Sequence, residues 1–368
     1  MRTLAAGLPK FPWDTLADAT RLARAHPDGI VDLSVGTPVD STPQFAQDAL
    51  RGGADASGYP ETWGTPALRA AILGYLSRRW GSVALDERSV LPVIGSKEFV
   101  AWLPTMLGLG AGDVVVIPEL AYPTYEVGAR MAGATVVATD DPGRLDALKP
   151  ALVWINSPAN PHGAILGPAR LREWVDAARA CGAVLAADEC YGEFGWDAEP
   201  TSVLHPDVCG GTVDGVLAVF SESKRSNVAG YRAGFVAGAT DLVTGLLEVC
   251  KHAGLMVPAP VQAAMAVLLG SQEHVDAQRE RYARRRAMLR PALEAAGFRV
   301  ECSEGGLYLW CTRGEPGRAS VEFLARLGIL VAPGEFYGAA GAEYVRVALT
   351  ATDERIEAAV ARLLAATG

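Results

Sequence analysis

Five short apolar runs, each closely followed by small or polar residues, constrain the fold of this chain more than any other feature. They lie at residues 90–93, 114–117, 153–155, 184–187 and 215–220. Runs of this length with no polar alternation indicate strands buried on both faces, and helical segments separate them. The pattern predicts an α/β fold with a mostly parallel sheet flanked by helices, with ligands bound beyond the carboxyl ends of the strands.

Residues 221–234 follow the last of these runs and hold one lysine among hydroxyl groups and glycines. Lys224 suits reaction with a carbonyl group, since a sheltered, electropositive position lowers the pKa of an amine and exposes its lone pair. Ser221, Ser223 and Arg232 suit a phosphate group, because hydroxyls and a forked guanidinium match its oxygens. An ordinary surface loop is the alternative for this segment alone.

Other loops add candidates of the same kind. Gly95, Ser96 and Lys97 follow a predicted strand and open a helix, which is a typical phosphate cradle. Gly36 follows a short strand and lets the backbone approach a ligand. The glycine-rich residues 108–112 follow a helix and precede a strand, which is the reverse of a dinucleotide-binding order, so we reject that function.

Three aromatic or amide side chains complete the candidates. Tyr59 stands before a helix that begins near Pro66, where its hydroxyl can reach an anion or simply pack. Tyr122 lies at the end of a strand and can stack on a planar ring. Two X-Pro bonds bias Ser157 and Asn160 to extended geometry, and the turn would aim the Asn160 amide outward.

The chain divides into three predicted parts. Residues 1–30 form an arm and a first helix, residues 31–274 form a large domain, and residues 275–368 form a smaller α+β domain. The small domain begins with an arginine-rich helix, whose residues 279–286 we interpret as a solvated face.

The composition excludes several classes of function. The 368-residue chain has 33 Lys and Arg against 42 Asp and Glu, a net charge of −9, which argues against nucleic-acid binding. The uncharged stretch between Lys251 and Glu273 is interpreted as a loop leading into a buried helix rather than a membrane span. Six cysteines without CxxC pairs or zinc-spaced histidines predict reduced thiols and no metal. With no apolar signal at Met1–Leu4, we expect a cytoplasmic protein.

From Gly36 to Arg346 these stretches, in this order, resemble the fold type I aminotransferases that use pyridoxal 5'-phosphate. The resemblance implies that Lys224 forms the Schiff base with the cofactor and carries the proton at the reacting carbon. Asp188 would hold the pyridine nitrogen protonated, which makes the ring an electron sink. Tyr191 and Asn160 would hydrogen-bond the phenolic oxygen, and Tyr122 would stack on the ring.

The same resemblance assigns the phosphate and substrate contacts. Gly95, Ser96, Lys97, Ser221, Ser223 and Arg232 would surround the phosphate, with Tyr59 reaching the phosphate of a neighbouring subunit in a homodimer with shared active sites. Arg346 would clamp the α-carboxylate of an amino acid or 2-oxo acid, helped by Gly36 and Asn160. Glu222 stands where an apolar residue is usual.

Within the family, residues 188–196, 223–227 and 251–258 are most similar to the actinobacterial type of N-succinyldiaminopimelate aminotransferase. This implies exchange of an amino group between glutamate and N-succinyl-2-amino-6-oxopimelate in lysine biosynthesis. Lys97, Arg225 and Lys251 are candidate cations for a second substrate carboxylate.

Two other activities use the same cofactor residues and stay open. One is an aspartate, alanine or aromatic aminotransferase, and the other is a carbon-sulfur β-lyase. A ligand-sensing domain of a regulator would need a fused DNA-binding module, and no basic helix-turn-helix segment precedes residue 30.

Overall fold

Runs of β-branched and other apolar residues form the strands, because such side chains pack well on a buried, pleated surface. The computed structural model describes residues 4–366. Its strands are β1 (Val31–Asp32), β2 (Val90–Val93), β3 (Val114–Ile117), β4 (Thr135–Ala138), β5 (Leu152–Asn156), β6 (Val184–Asp188), β7 (Val216–Ser221), β8 (Gly234–Gly238), β9 (Arg299–Glu301), β10 (Tyr308–Thr312), β11 (Ile329–Leu330), β12 (Ala332–Pro333) and β13 (Val345–Ala348).

Helices separate these strands along the described chain. They are α1 (Ala17–Arg24), α2 (Gln44–Gly52), α3 (Pro66–Trp80), α4 (Ser96–Met106), α5 (Thr124–Ala132), α6 (Leu145–Leu148), α7 (Pro168–Ala180), α8 (Pro206–Cys209), α9 (Glu222–Arg225), α10 (Thr240–Ala253), α11 (Ala259–Leu269), α12 (Glu273–Ala295), α13 (Gly317–Arg326) and α14 (Asp353–Ala365). Short 3₁₀ turns lie at Leu4–Gly7, Pro12–Leu16, Glu87–Ser89, Pro142–Arg144, Ala229–Tyr231, Gly334–Tyr337 and Ala339–Gly341.

Local sequence explains where α3 begins and ends. Thr65 precedes it, and its side chain accepts a hydrogen bond from the Leu68 N–H, while Pro66 takes the first helical position. Gly81 ends the helix in the left-handed conformation, with φ of 55°. The predicted helix start near Pro66 is confirmed.

The strands β2 to β8 form one seven-stranded sheet in the order β2-β8-β7-β6-β5-β3-β4. Strands β7, β6, β5, β3 and β4 run parallel, and β8 is antiparallel to both of its neighbours. The predicted α/β fold with a mostly parallel sheet is therefore confirmed. Because two reversals restore the chain direction, β2 runs parallel to β7, and the carboxyl ends of β2, β5, β6 and β7 lie at one edge.

A second, antiparallel sheet lies in the C-terminal part of the chain, in the order β12-β13-β10-β9. It shares an apolar core with α12, α13 and α14. The short β1 pairs in parallel with β11, so residues near position 31 join the C-terminal part. The domain boundaries at residues 30 and 274 stay predictions.

The arginine-rich helix α12 differs in part from the prediction. Arg285 is only 1 % exposed, and its guanidinium binds both carboxylate oxygens of Asp40 at 2.8 Å and Asp353 at 2.6 Å. The interpretation of a wholly solvated face is wrong at this position, because two acidic residues distant in sequence neutralise a buried charge.

The uncharged stretch between Lys251 and Glu273 contains a loop and then α11, as predicted. Five residues of α11 are buried, among them Met265 and Leu268. Across residues 4–366, no helix is long and apolar enough to cross a membrane.

Candidate active site

The predicted reactive lysine lies at the edge where the carboxyl ends of the parallel strands meet. Ser221 ends β7 and caps α9 by accepting a hydrogen bond from the Ser223 N–H. Lys224 follows on α9, half-buried, and its Nζ donates to the carbonyl oxygen of Gly36. Gly36 is thus brought to the lysine from 188 positions away.

The surroundings of Lys224 make its amine more easily deprotonated. Burial lowers the pKa of Lys224 below that of a free lysine, and the charges of Arg346 and Arg232 lower it further, while Tyr308 and Cys190 act in the opposite direction. A larger neutral fraction means a better nucleophile toward a carbonyl carbon. The structure therefore provides what carbonyl chemistry at this residue requires.

Asp188 is a buried carboxylate at the end of β6, which pairs with β7, the strand that precedes α9 and Lys224. Its Oδ2 accepts a hydrogen bond from the Tyr125 hydroxyl at 2.7 Å, and its Oδ1 accepts from the Cys190 N–H at 3.1 Å. Burial raises the pKa of Asp188. Among residues 4–366 no cationic side chain forms an ion pair with it, so the carboxylate suits a protonated ring nitrogen.

The predicted phosphate residues come together where α4 begins. Gly95 has a φ of 102° and precedes α4 without a side-chain cap, so the first N–H groups of this helix are available to an anion. A Cβ added at Gly95 would overlap the Arg232 guanidinium, and one at Gly234 would lie 3.4 Å from the Ser96 nitrogen. Gly234 in turn pairs with Ser221. The backbone therefore forms a cradle at two positions where glycine is needed, with the Arg232 guanidinium and the Glu98 carboxylate beside it.

The charge of the cradle depends on Arg232 and Glu98. Arg232 adopts the left-handed conformation, with φ of 56°, and its Nη2 lies 2.5 Å from the Glu98 carboxylate. Sequence reasoning did not single out Glu98, because the pairing spans 134 positions. The sequence did show that Glu98 follows Lys97 directly and lies in the first turn of α4, close to the predicted phosphate site.

Two predicted phosphate residues stand apart from these contacts. Lys97 is exposed, and its Nζ lies 5.8 Å from the ring centroid of Phe11 in the N-terminal arm. Tyr59 is 98 % exposed. Such exposure is compatible with the prediction that Tyr59 serves a neighbouring subunit.

Arg346 is held at the site by residues that are distant from it in sequence. Its Nη1 donates to the Asn160 side-chain oxygen and its Nη2 to the Ser34 carbonyl oxygen, each at 2.8 Å. The guanidinium lies 3.8 Å from the Tyr308 ring centroid and 4.9 Å from that of Tyr337. Its Nε is buried without a hydrogen-bond partner. This planar, desolvated cation suits a carboxylate.

Tyr191 and Tyr308 form a hydroxyl pair beside Lys224. Their oxygens lie 2.8 Å apart, and both side chains are buried. A Cβ at Gly36 would overlap the Tyr308 hydroxyl, so the glycine at this position is required by packing. Sequence reasoning did not single out Tyr308, which lies 117 positions from Tyr191; an aromatic ring two residues after Gly306 was the available signal.

The remaining aromatic residues lie near Asp188. Tyr122 packs edge to face on Tyr125, with ring centroids 5.8 Å apart, and burial raises its pKa to about 12. Tyr125, and not Tyr122, bonds to Asp188. Sequence reasoning missed Tyr125, although it follows Tyr122 by three positions and lies in the first turn of α5.

These residues fit pyridoxal 5'-phosphate. The buried carboxylate without a cationic side-chain partner suits its ring nitrogen, the cradle at the start of α4 suits its phosphate, and the amine of low pKa suits its aldehyde. Bound there, the group would supply an electron sink for the reacting carbon.

The comparisons with known proteins agree with this site. The family described as aminotransferase class I and II matches residues 28–363. The chain belongs to this family, which depends on pyridoxal 5'-phosphate, and it is an aminotransferase.

Two curated relatives are similar over almost the whole chain. A probable aminotransferase of Mycobacterium tuberculosis is 60% identical, over 98% of this chain and 86% of its own. The 4-dedimethylamino-4-oxo-anhydrotetracycline transaminase OxyQ of Streptomyces rimosus is 58% identical, over 97% of this chain and 99% of its own.

Two further comparisons are more distant. The LL-diaminopimelate aminotransferase of Dehalococcoides mccartyi is 31% identical, over 97% of this chain and 96% of its own. A solved aminotransferase structure from Neisseria meningitidis has a TM-score of 0.87 and 28% identity, covering 100% of this chain and 99% of the other.

Proposed function

We propose that this aminotransferase exchanges an amino group between L-glutamate and N-succinyl-2-amino-6-oxopimelate. The observation that supports an amino-acid substrate is Arg346, whose buried guanidinium keeps one nitrogen without a partner. The motifs at residues 188–196, 223–227 and 251–258 support the succinylated substrate, as does the 31% identity to an enzyme named for diaminopimelate.

The proposed roles follow from the environment of each group. Lys224 binds the cofactor aldehyde and then carries the proton at the reacting carbon, since its pKa is lowered by burial. Asp188 keeps the ring nitrogen protonated in a low-dielectric site. Tyr191 and Asn160 orient the phenolic oxygen, and Arg346 orients the substrate carboxylate. Orientation and exclusion of water are the contributions of the fold.

Three cationic side chains are candidates for binding a second substrate carboxylate, and their exposure and partners support one of them. Arg225 is 4 % exposed and bonds to Glu193, so it does not serve this role. Lys251 pairs with Glu248 at 2.6 Å on the surface of α10. Lys97, exposed beside Phe11, is therefore the candidate that we propose for the succinyl or distal carboxylate.

We also propose a cytoplasmic homodimer with shared active sites. The exposure of Tyr59 supports a contact made in trans, and six free cysteines support a reducing compartment. Sedimentation of the protein, together with a Tyr59→Phe variant that binds cofactor phosphate less tightly, tests the dimer. A monomer with wild-type cofactor affinity in the variant contradicts it.

A second candidate rests on the similarity to OxyQ. OxyQ, which is 58% identical, is named for a 4-oxo-anhydrotetracycline, so the acceptor in this alternative is a polycyclic ketone instead of a 2-oxo acid. An aspartate, alanine or aromatic aminotransferase and a carbon-sulfur β-lyase use the same residues and stay as further alternatives.

The deciding experiment follows the absorption of the bound cofactor without any acceptor. The purified protein is titrated separately with N-succinyl-L,L-diaminopimelate, L-glutamate, L-aspartate, L-alanine, cystathionine and the aminated form of the ketone named for OxyQ. Conversion to the amine form at lowest concentration by the succinylated amine and by glutamate supports the proposal. Conversion by the polycyclic amine instead, or by aspartate or alanine alone, replaces the substrate, and pyruvate release without conversion indicates the lyase.

A further inference from the structure

Arg225 follows the reactive lysine in sequence but extends away from it into the protein. Its Nε donates to the Glu193 carboxylate at 3.1 Å, and its Nη1 and Nη2 each donate at 2.9 Å to the carbonyl oxygens of Leu268 and Ser271. The residue is 4 % exposed. One side chain therefore joins α9 to two other segments of the chain.

Glu193, the carboxylate that Arg225 binds, lies in the segment that carries Asp188 and Tyr191, the predicted contacts of the cofactor ring. It follows Asp188 by five positions and Tyr191 by two. Its carboxylate also accepts from the Tyr75 hydroxyl at 2.8 Å and from Arg79 at 3.0 Å. Burial raises the pKa of Glu193, but the charges of Arg225 and Arg79 lower it more, so the overall pKa is below the usual value. The carboxylate is therefore ionised at neutral pH.

We propose that Arg225 and Glu193 are positioning residues for the reaction. Their buried ion pair fixes the turn that carries Lys224 against the segment that carries Asp188 and Tyr191. This inference rests on the proposed roles of those three residues, but it does not depend on which substrate is used.

The physical argument is that such a pair is a poor device for stability alone. A buried ion pair commonly contributes no more than apolar side chains of the same size, because both charges lose their hydration. The ion pair instead fixes the relative position of the two segments. A planar guanidinium bound to three acceptors allows one arrangement of these segments, whereas apolar packing allows several. Misplacement of reacting groups by about 1 Å can lower a rate on the order of 100-fold.

The test substitutes Arg225 and Glu193 and separates their effect on the position of the reacting groups from their effect on the stability of the protein. The variants are Arg225→Met, Glu193→Gln, the double variant, and Arg225→Lys, which keeps the charge but lacks the planar fork. Three measurements are made: the melting temperature of the cofactor-free protein, the pH midpoint of the visible absorption of lysine-bound cofactor, and the single-turnover rate with L-glutamate.

Each single neutral variant is expected to lose several degrees of melting temperature, because a buried charge loses one of its partners. Arg225→Met leaves Glu193 with Arg79, at 3.0 Å, and Glu193→Gln leaves Arg225 with the more distant carboxylate of Glu222, at 3.9 Å. The double variant should recover most of that stability. It should still show a shifted pH midpoint, by roughly half a unit or more, and a rate lowered on the order of 10- to 100-fold. Arg225→Lys should show the same two changes at near wild-type stability.

Arg179→Met serves as a matched control. Arg179 also anchors other segments through carbonyl oxygens, those of Cys209, Thr212 and Asp214, at 2.7 to 3.0 Å. These residues lie before β7, at the edge of the sheet opposite the site. The control should lose stability while the midpoint and the rate stay unchanged.

A double variant with wild-type midpoint and rate, or an Arg225→Lys variant with both values unchanged, overturns the inference. If wild-type protein does not react with the succinylated amine, only the proposed substrate fails, since the midpoint is measured without substrate. A wild-type protein that forms no visible band with the cofactor overturns the assignment of Lys224 and this inference together.

Discussion

Replacing Arg346 by lysine isolates the geometry of the carboxylate clamp from its charge. Two nitrogens of the guanidinium already hold Asn160 and Ser34, and each retains one further N–H, as does Nε. A lysine at this position has three N–H groups in all. It therefore cannot hold both protein acceptors and a carboxylate in two-pronged contact.

The expected loss is one charge-assisted hydrogen bond to the substrate. Such a bond contributes about 1.5 to 3 kcal/mol. Because each 1.36 kcal/mol changes a rate tenfold, kcat/KM for L-glutamate should fall on the order of 10- to 100-fold. Cofactor affinity should change much less, since Arg346 is linked to the proposed ring contacts only through Asn160.

The assay compares L-glutamate with 4-aminobutyrate, which is glutamate without the α-carboxylate. Single-turnover conversion of the bound cofactor is followed for both amines in wild-type and Arg346→Lys protein. Only the glutamate rate should fall. An equal fall for both amines would refute the clamp and leave Arg346 as a structural residue that stacks on Tyr308.

Three other substitutions test the surroundings of the site. Asp188→Asn should lower turnover on the order of 10²- to 10³-fold or more, measured by stopped-flow absorption, because the ring nitrogen loses its ionic partner; a change below tenfold contradicts that role. Tyr308→Phe removes the hydroxyl bonded to Tyr191 but keeps the ring under Arg346, so urea unfolding should show a loss of about 1 kcal/mol with an unchanged KM for glutamate. Burial raises the pKa of Glu222 from 4.5 to about 7, so the folded protein holds a proton there that the unfolded chain releases, and stability falls as pH rises through that window. In Glu222→Gln, the fall in unfolding free energy from pH 5 to pH 8 should be smaller by about 2 to 3 kcal/mol; an unchanged pH profile would show that Glu222 is ionised throughout.

The sequence predicts the central sheet well because its strands are buried on both faces. Strands at residues 90–93 and 114–117 have the predicted bounds, and the others differ by one or two residues. The short strand predicted before Gly36 is only Val31–Asp32, because its ladder is limited to the two residues of β11 that face it. Continuous apolar runs identify core strands, whereas edge pairings depend on the partner.

The site was predictable where a motif carries the chemistry, and not where distant side chains complete it. Asp188 ends a strand, Lys224 follows one, and Arg232 precedes the antiparallel β8, so topology alone brings them to one edge. Tyr308 meets Tyr191 across 117 positions, and Glu98 meets Arg232 across 134. Such contacts are set by tertiary packing, which no local pattern encodes.

Arg225 illustrates a further limit. In the sequence it is a cation next to the reactive lysine, which suits a substrate carboxylate. In the structure it is buried and paired with Glu193, so it does not reach the substrate. The burial of Glu222 was also not evident from the sequence. Its carboxylate accepts a hydrogen bond from Ser226 at 3.2 Å in the interior and does not face the phosphate cradle.

The contacts of Arg346 also imply an order of assembly during folding. The cradle needs residues from 95 to 234, whereas the bond from Arg346 to the Ser34 carbonyl joins positions 312 residues apart. Loop closure over such a distance is slow compared with pairing of neighbouring strands. On a ribosome the cradle is complete in sequence before Arg346 is made, so a nascent chain is expected to be able to retain cofactor before it can distinguish one amine from another.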